Sequence, residues 1–284
     1  MGCSSLSEIN GIETWDVSCA TSMRNMLKRC SSITHMNLSS WDVSKVNNMS
    51  NTFEGCSSLV ELDLTGWNTS SLSAMTAMFK DCSNLQKILG IEDFNISKVT
   101  SLSDVFRGCG VTSINLDSWD FNGVTDVNYI FTNSKIQTID TTNWDVSTIT
   151  RYYDFCNGSS VKYVTLTFSG SMWALMHNCV DVEQITWRNC SVVIDNYSFP
   201  NFSSPRNAKW QITFDNAVIT SAPGTNGVLN SYSHLTVESL VSILNALEDK
   251  SGTDSETLRI GSQNLAKLSS SQIAIATNKN WTVV

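Results

Sequence analysis

Trp41-Asp42-Val43-Ser44-Lys45-Val46-Asn47-Asn48-Met49-Ser50-Asn51-Thr52-Phe53-Glu54-Gly55-Cys56-Ser57-Ser58-Leu59-Val60-Glu61-Leu62-Asp63-Leu64 leads to Trp67, where the pattern begins again. Outward from Cys56, the cysteines Cys3, Cys30, Cys56, Cys82 and Cys109 are separated by 27, 26, 26 and 27 residues. Trp15, Trp41, Trp67, Trp119 and Trp144 lie on the same lattice, with Phe94 standing in once. Two ladders with one step report one unit, and a fixed period of this size predicts repeats that stack on their neighbours.

The unit reads W-D-V-S-x-V-x-x-M-x-x-M-F-x-x-C-S-S-L-x-x-L-x-L. Three residues before each cysteine stands an apolar residue: Leu27, Phe53, Phe79, Phe106, Phe131 and Tyr153. Ser134 takes the cysteine position once, and Cys156 is expected to resume it. A degraded copy continues through Met176, Cys179, Val182, Ile185 and Trp187. After the cysteine, Met36 and Leu38, Leu62 and Leu64, Ile114 and Leu116, and Val164 and Leu166 alternate as one buried side of a short strand must. Between W-D-V-S and the cysteine, Val46, Met49 and Phe53 have near-helical spacing, which predicts a short helix or 3-10 turn with Asp42 or Ser44 capping its N–H groups. One such unit buries too few side chains to offset its own ordering, so stacking must supply the rest.

These residues resemble the BspA-like leucine-rich repeat of bacterial surface proteins and lipoproteins, strongly over residues 1–168 and weakly over 169–190. The resemblance implies an α/β fold: a right-handed leucine-rich-repeat solenoid with a parallel sheet of short strands and short helices or 3-10 turns opposite. It also implies an extracellular, cell-surface or virion-surface protein used in adhesion or partner binding. Within residues 1–284 no lipobox, export signal or cell-wall anchor is read. Because Cys3-Ser4-Ser5-Leu6 is already the C-S-S-L portion of a unit, the residues are expected to be part of a longer polypeptide or assembly. The same stretch misses the N-myristoylation pattern, which wants Ser or Thr where Leu6 stands.

Composition narrows the field. A formal charge of −8 without a basic cluster argues against a nucleic-acid partner. No apolar stretch is long enough for a membrane span, so direct membrane insertion is not expected. The repeat cysteines read as buried small hydrophobes, with a cross-link between neighbouring strands as the alternative. Neither C-x-x-C spacing nor a Cys–His cluster occurs, and His35, His177 and His234 are scattered, so no metal or other cofactor is expected. The lattice tryptophans read as corner contacts between repeats, whereas Trp173, Trp210 and Trp281 lie off the lattice and are expected to be exposed.

From about 191 to 232 the pattern lapses, and Pro200, Pro205 and Pro223 mark an irregular connector with an extra strand over Lys209–Phe214. Residues 233–284 read as a C-terminal α/β cap. A helix starts at Thr236 as cap and carries Val237, Leu240, Ile243, Leu244 and Leu247 on one face. Then come a strand over Thr257–Gly261, a helix opened by the capping box Ser269-Ser270-Ser271-Gln272, and a strand over Trp281–Val284, together expected to continue the main sheet. Leu265-Ala266-Lys267-Leu268 and Ala274–Thr282 resemble a C-terminal module of gut bacterial surface proteins and phage tail-associated proteins, with Asn280 where glycine is commoner.

Outward strand positions form the candidate binding stripe. One column holds Asn37, Asp63, Leu89, Asn115, Asp140, Thr165 and Thr186; the flanking column holds His35, Glu61, Lys87, Ser113, Thr138, Tyr163 and Gln184. The stripe is polar, short-chained and mildly acidic. No nucleophile–base pair, paired-acid pocket or phosphate loop appears, so the expected role is not catalytic. It is recognition of a host or bacterial surface protein or glycan, on a bacterial surface or a phage tail, with a passive spacer as the alternative.

Overall fold

The computed structural model describes residues 3–171, 175–176, 178–193, 211–222 and 235–284. The chain divides into two compact units, Met1–Gln137 with Asn143–Ser159, and Thr138–Thr142 with Ser160–Val284.

In the first unit, β1 (His35–Asn37), β2 (Glu61–Asp63) and β3 (Lys87–Leu89) pair in parallel register, Met36 opposite Leu62 opposite Ile88. The central residue of each is buried and its neighbours turn outward, the alternation that L-x-L spacing demands.

Neither the expected short helix nor a 3-10 helix forms between W-D-V-S and the cysteine; that segment is a chain of single hydrogen-bonded turns. Asn25, Asn51, Ala77, Asp104, Tyr129 and Asp154 all have positive φ, and the residue four positions later does too. A left-handed residue every fourth position breaks any α-helix. The N–H groups go to two kinds of acceptor instead. Met49, Asn51, Phe53 and Gly55 donate to Ala74, Thr76, Met78 and Lys80 of the following repeat at 2.7–3.0 Å. Between them Thr52, Glu54 and Cys56 close local turns onto Met49, Asn51 and Phe53 at 3.0–3.3 Å. The backbone is satisfied largely by the neighbouring repeat, so a lone unit would leave half of these donors without partners.

The second left-handed column runs Arg29, Gly55, Asp81, Gly108, Asn133, Gly158, a side chain and a glycine by turns. A Cβ at Gly108 would lie 2.4 Å from Asp81 Oδ1, and one at Gly158 would lie 2.4 Å from Asn133 Oδ1. Each side chain in this column therefore occupies space that the next repeat leaves empty.

The core consists of vertical stacks. Phe53, Phe79, Phe106 and Phe131 lie face to face with centroids 5.6–5.8 Å apart. Trp15, Trp41, Trp67 and Phe94 stack at 6.1–6.4 Å, and the Trp41, Trp67 and Trp119 indole N–H groups each donate to a carbonyl one repeat back, those of Ile12, Leu38 and Ile91. The corner role assigned to these tryptophans follows. Cys30, Cys56, Cys82 and Cys109 are buried, and the Cys56 and Cys82 thiols donate to Leu27 and Phe53 carbonyls at 3.1 and 3.0 Å. Burial pushes the Cys56 thiol up to about 12, so it stays protonated and unreactive. Cys3 and Cys19 are exposed.

Cys156 does not resume the cysteine column. Ser159 closes its turn onto Cys156, as Cys56 closes onto Phe53, so Ser159 holds the cysteine position and Cys156 the ring position, while Phe155, one residue earlier, meets Phe131 edge-on at 5.6 Å. Tyr153 is accordingly exposed rather than apolar core. Ser134, one repeat earlier, is 2% exposed and its hydroxyl has no hydrogen-bond partner. An orphaned buried hydroxyl costs about 1–3 kcal/mol. Ser134→Cys should therefore raise stability by about 1 kcal/mol in urea unfolding, because the longer thiol can reach back to a carbonyl as Cys56 does.

Ile114–Leu116, expected as a strand, pairs with nothing in a ladder. The repeat before it carries Gly90-Ile91-Glu92-Asp93, in which Gly90 is left-handed and Ile91–Asp93 forms a 3-10 turn. Gly11-Ile12-Glu13-Thr14 does the same in the first repeat, with a 3-10 turn over Ile12–Thr14. Each insertion winds one extra residue into the end of the strand segment, and the next ladder step fails in both places. Among the described residues, no backbone hydrogen bond joins 7–10 to 34–37 or 87–89 to 113–115.

In the second unit, β4 (Thr138–Asp140), β5 (Tyr163–Leu166), β7 (Gln184–Arg188) and β9 (Gln211–Asp215) form a parallel sheet in that order. β6 (Gly170–Ser171), β8 (Ser191–Val193) and β10 (Val218–Ser221) form a second one. Helix α1 (Val237–Ala246) begins on the Thr236 cap and lies against β9. Its Ser239 and Ser242 hydroxyls accept the Ile212 and Phe214 N–H groups at 2.9 Å, so two side chains stand where another strand's carbonyls would. β11 (Glu256–Leu258) and β12 (Trp281–Val283) pair with each other as a separate sheet instead of continuing the larger one. Short α2 (Ser262–Leu265) and α3 (Ser270–Thr277), the latter opened by the expected Ser269–Gln272 capping box, connect them. Trp281 is 1% exposed and donates to the Glu248 carbonyl at 2.8 Å, contrary to its expected exposure; Trp173, Trp210, His177 and His234 lie outside the described residues, as do the three prolines of the connector.

Candidate functional site

Sheet alternation places the expected stripe on the outward faces of the strands, in two separate patches. In the first unit, His35, Glu61 and Lys87 stand opposite one another on β1, β2 and β3, and Lys87 Nζ lies 4.0 Å from Glu61. Asn37 and Asp63 form the neighbouring row, and Leu89 ends it half-buried. Ser113 and Asn115 are exposed but sit on the unpaired segment and so extend no ladder.

In the second unit the rows are Thr138, Tyr163, Gln184 and Gln211, and Asp140, Thr165, Thr186 and Thr213. Tyr163 is 44% exposed and donates to Glu183 Oε2 at 2.6 Å, and that bond raises its hydroxyl above the usual phenol range. Thr186 departs from the expected outward exposure: it is 5% exposed, because β7 is flanked on both sides by strands carrying Thr165 and Thr213 in register, and Gln184 Nε2 reaches over it to 3.3 Å. Gln211 and Thr213 belong to the rows and were not anticipated. The likeness of Gln211-Ile212-Thr213-Phe214 to Gln184-Ile185-Thr186-Trp187 could have revealed them.

One row is already engaged. Asn37, Asp63, Asn115 and Asp140 each turn back to accept the backbone N–H two residues ahead, at 2.8–3.0 Å. These are Asx turns ending the strands, so the row terminates strands before it can bind anything. The groups left facing outward are His35, Glu61, Lys87 and Ser113 in the first unit and Thr138, Tyr163 and Gln184 in the second, all hydrogen-bonding side chains. Among the described residues, no group of three or more His, Cys, Asp or Glu side chains could hold a metal.

The same turn recurs at the W-D-V-S corner, where Asp16, Asp42 and Asp145 accept from the hydroxyl or backbone of Ser18, Ser44 and Ser147. Those bonds hold the carboxyls of Asp16, Asp42 and Asp145 below the usual range, as Thr65 does for Asp63. A carboxyl whose folded pKa is lowered stabilises the fold above its unfolded value near 3.9, and that stabilisation is lost as pH falls through the folded value. The unfolding temperature should hold steady from about pH 7 to 5 and drop below about pH 4, checked by calorimetry across that range.

Stacked parallel strands of L-x-x-L-x-L sequence with few helices define a repeat protein of the leucine-rich type. The chain belongs to the family described as Mycoplasma protein of unknown function, DUF285, which matches residues 2–90 and 61–167. The comparison with curated proteins gives no match. Among solved structures, the chain is similar to a leucine-rich repeat protein from Bacteroides ovatus ATCC 8483 at 12% identity, with a TM-score of 0.33, over 75% of this chain and 68% of that one. None of the helices found is long and apolar enough to cross a membrane, among the described residues.

Proposed function

We propose that this chain is a non-catalytic recognition module that holds a protein or glycan partner on the outward strand faces, at a bacterial surface or on a phage tail. The repeats are read as a right-handed solenoid and residues 233–284 as its cap. The observation that carries the reading is the division of labour within the strands: the central residue is buried, Asn37, Asp63 and Asp140 are spent on Asx turns, and His35, Glu61, Lys87, Thr138, Tyr163 and Gln184 face outward with contacts only to other side chains. Repeat proteins bind through such aligned positions because changing them leaves the stack intact.

The test is a glycan and surface-protein array probed with the labelled protein and with a variant carrying His35→Ala, Glu61→Lys, Lys87→Glu and Tyr163→Ala. Specific signals lost in the variant at an unchanged unfolding midpoint are expected. A well-folded protein that gives no signal, or one whose signals survive the four changes, overturns the reading in favour of a passive spacer.

A further inference from the structure

The first Gly-Ile-Glu insertion leaves more than a missing ladder step. Between the segment 7–13 and β1 with its flanks lies a half-open cleft of about 640 Å³, within the range of ligand sites. Its apolar lining includes Ile12, Ile33 and Met36, all buried in the fold. Glu8 and Glu13, both exposed, also line it. One wall is a sheet edge. β1 uses Thr34 and Leu38 toward β2, Val60 N–H donating to the Thr34 carbonyl at 2.7 Å and Leu38 N–H to the Asp63 carbonyl at 2.8 Å. Parallel ladders engage alternate residues on each side, so His35 and Asn37 turn their N–H and C=O groups toward the cleft. An unpaired edge of this kind is a template for another strand.

We propose that this cleft receives a short extended peptide rich in lysine or arginine, added to β1 as a strand. The free edge supplies main-chain hydrogen bonds, Ile12, Ile33 and Met36 receive alternate apolar side chains, and Glu8 and Glu13 meet the cations between them. Sequence carries the signal too, since Gly11-Ile12-Glu13 is the inserted turn that keeps 7–10 off the edge. The site uses the backbone edge of β1, not the outward faces, and shares with the recognition surface above only His35, whose side chain that surface uses and whose backbone this one uses.

The probe is acetyl-Leu-Lys-Lys-Leu-Lys-Leu-amide, a consensus strand with lysines at its outward positions, titrated calorimetrically into the full chain. Saturable binding below about 1 mM is expected, weakening as salt is added. Methylating alternate backbone nitrogens of the peptide removes the donors it offers β1 and should weaken binding at least about tenfold. On the protein side, His35→Pro deletes the edge N–H without taking a β1–β2 bond, a place where strands tolerate proline, and Glu8→Lys reverses a charge lining the cleft. Each should weaken binding about tenfold or more while the unfolding midpoint stays within error. No saturable binding, or binding indifferent to peptide methylation and to both variants, overturns the proposal. Self-association of the chain that His35→Pro abolishes would also overturn it, by assigning the edge to a second copy.

Discussion

Phe79→Ala should destabilise the first unit by about 3–5 kcal/mol in urea unfolding followed by tryptophan fluorescence. Phe79 is fully buried, with Phe53 stacked at 5.8 Å on one side and Phe106 at 5.6 Å on the other. Truncation removes the transfer free energy of the ring and opens a void that cannot close, because hydrogen bonds between repeats fix the spacing of the layers at Phe53→Met78 and Phe79→Val105. Two ring contacts are lost as well, each worth about 0.5–1.5 kcal/mol beyond area. In a stack whose layers hold only their neighbours, the loss should also uncouple the repeats before and after it, seen as a broader transition. A sharp transition displaced by less than about 1 kcal/mol would show that the ring column does not hold the layers together.

The second large effect belongs to α1. Ser239→Ala with Ser242→Ala removes the acceptors of the Ile212 and Phe214 N–H groups. Ser239 is 1% exposed and Ile212 2%, so water cannot replace the lost hydroxyl at that position. Each orphaned donor costs about 1–3 kcal/mol, and the double variant should lose several kcal/mol in all. Hydrogen exchange provides the specific readout: the Ile212 and Phe214 amides should exchange markedly faster, while those in the Phe79 layer should not change. Ser239→Thr, which keeps the hydroxyl, should restore most of the loss. Unchanged exchange at both amides would mean that the serines do not close this edge.

The strands were legible because L-x-L spacing admits only one side facing inward, and Leu62, Leu64, Val164 and Leu166 are all buried as that spacing requires. The opposite face was not, since Val46, Met49 and Phe53 have helical intervals and nothing in Ala77, Tyr129 or Arg29 announces a positive φ. The glycines and the Asn and Asp residues of those columns, such as Asn25, Asn51, Gly55, Gly108, Asn133 and Gly158, hinted at it. The sixth repeat misled for a related reason: Cys156 carries the right residue type, but the turn that Ser159 N–H closes onto the Cys156 carbonyl puts Ser159 in the cysteine position. At the candidate site, the outward rows were readable from alternation alone, and N-x-S and D-x-T were readable Asx turns. That Thr186 is covered, or that Ser239 serves β9, depends on which elements flank a strand, which spacing within one segment does not encode.

The left-handed column has a consequence for how such chains lengthen. Asp81 and Asn133, 52 residues apart, each extend over a glycine in the following layer, as Arg29 does over Gly55. Excising a single copy would bring two like members of that column into adjacent layers, two side chains or two glycines, whereas excising two keeps the alternation. In this part of the protein, the block whose loss or gain preserves the fit between layers is therefore a doublet of repeats.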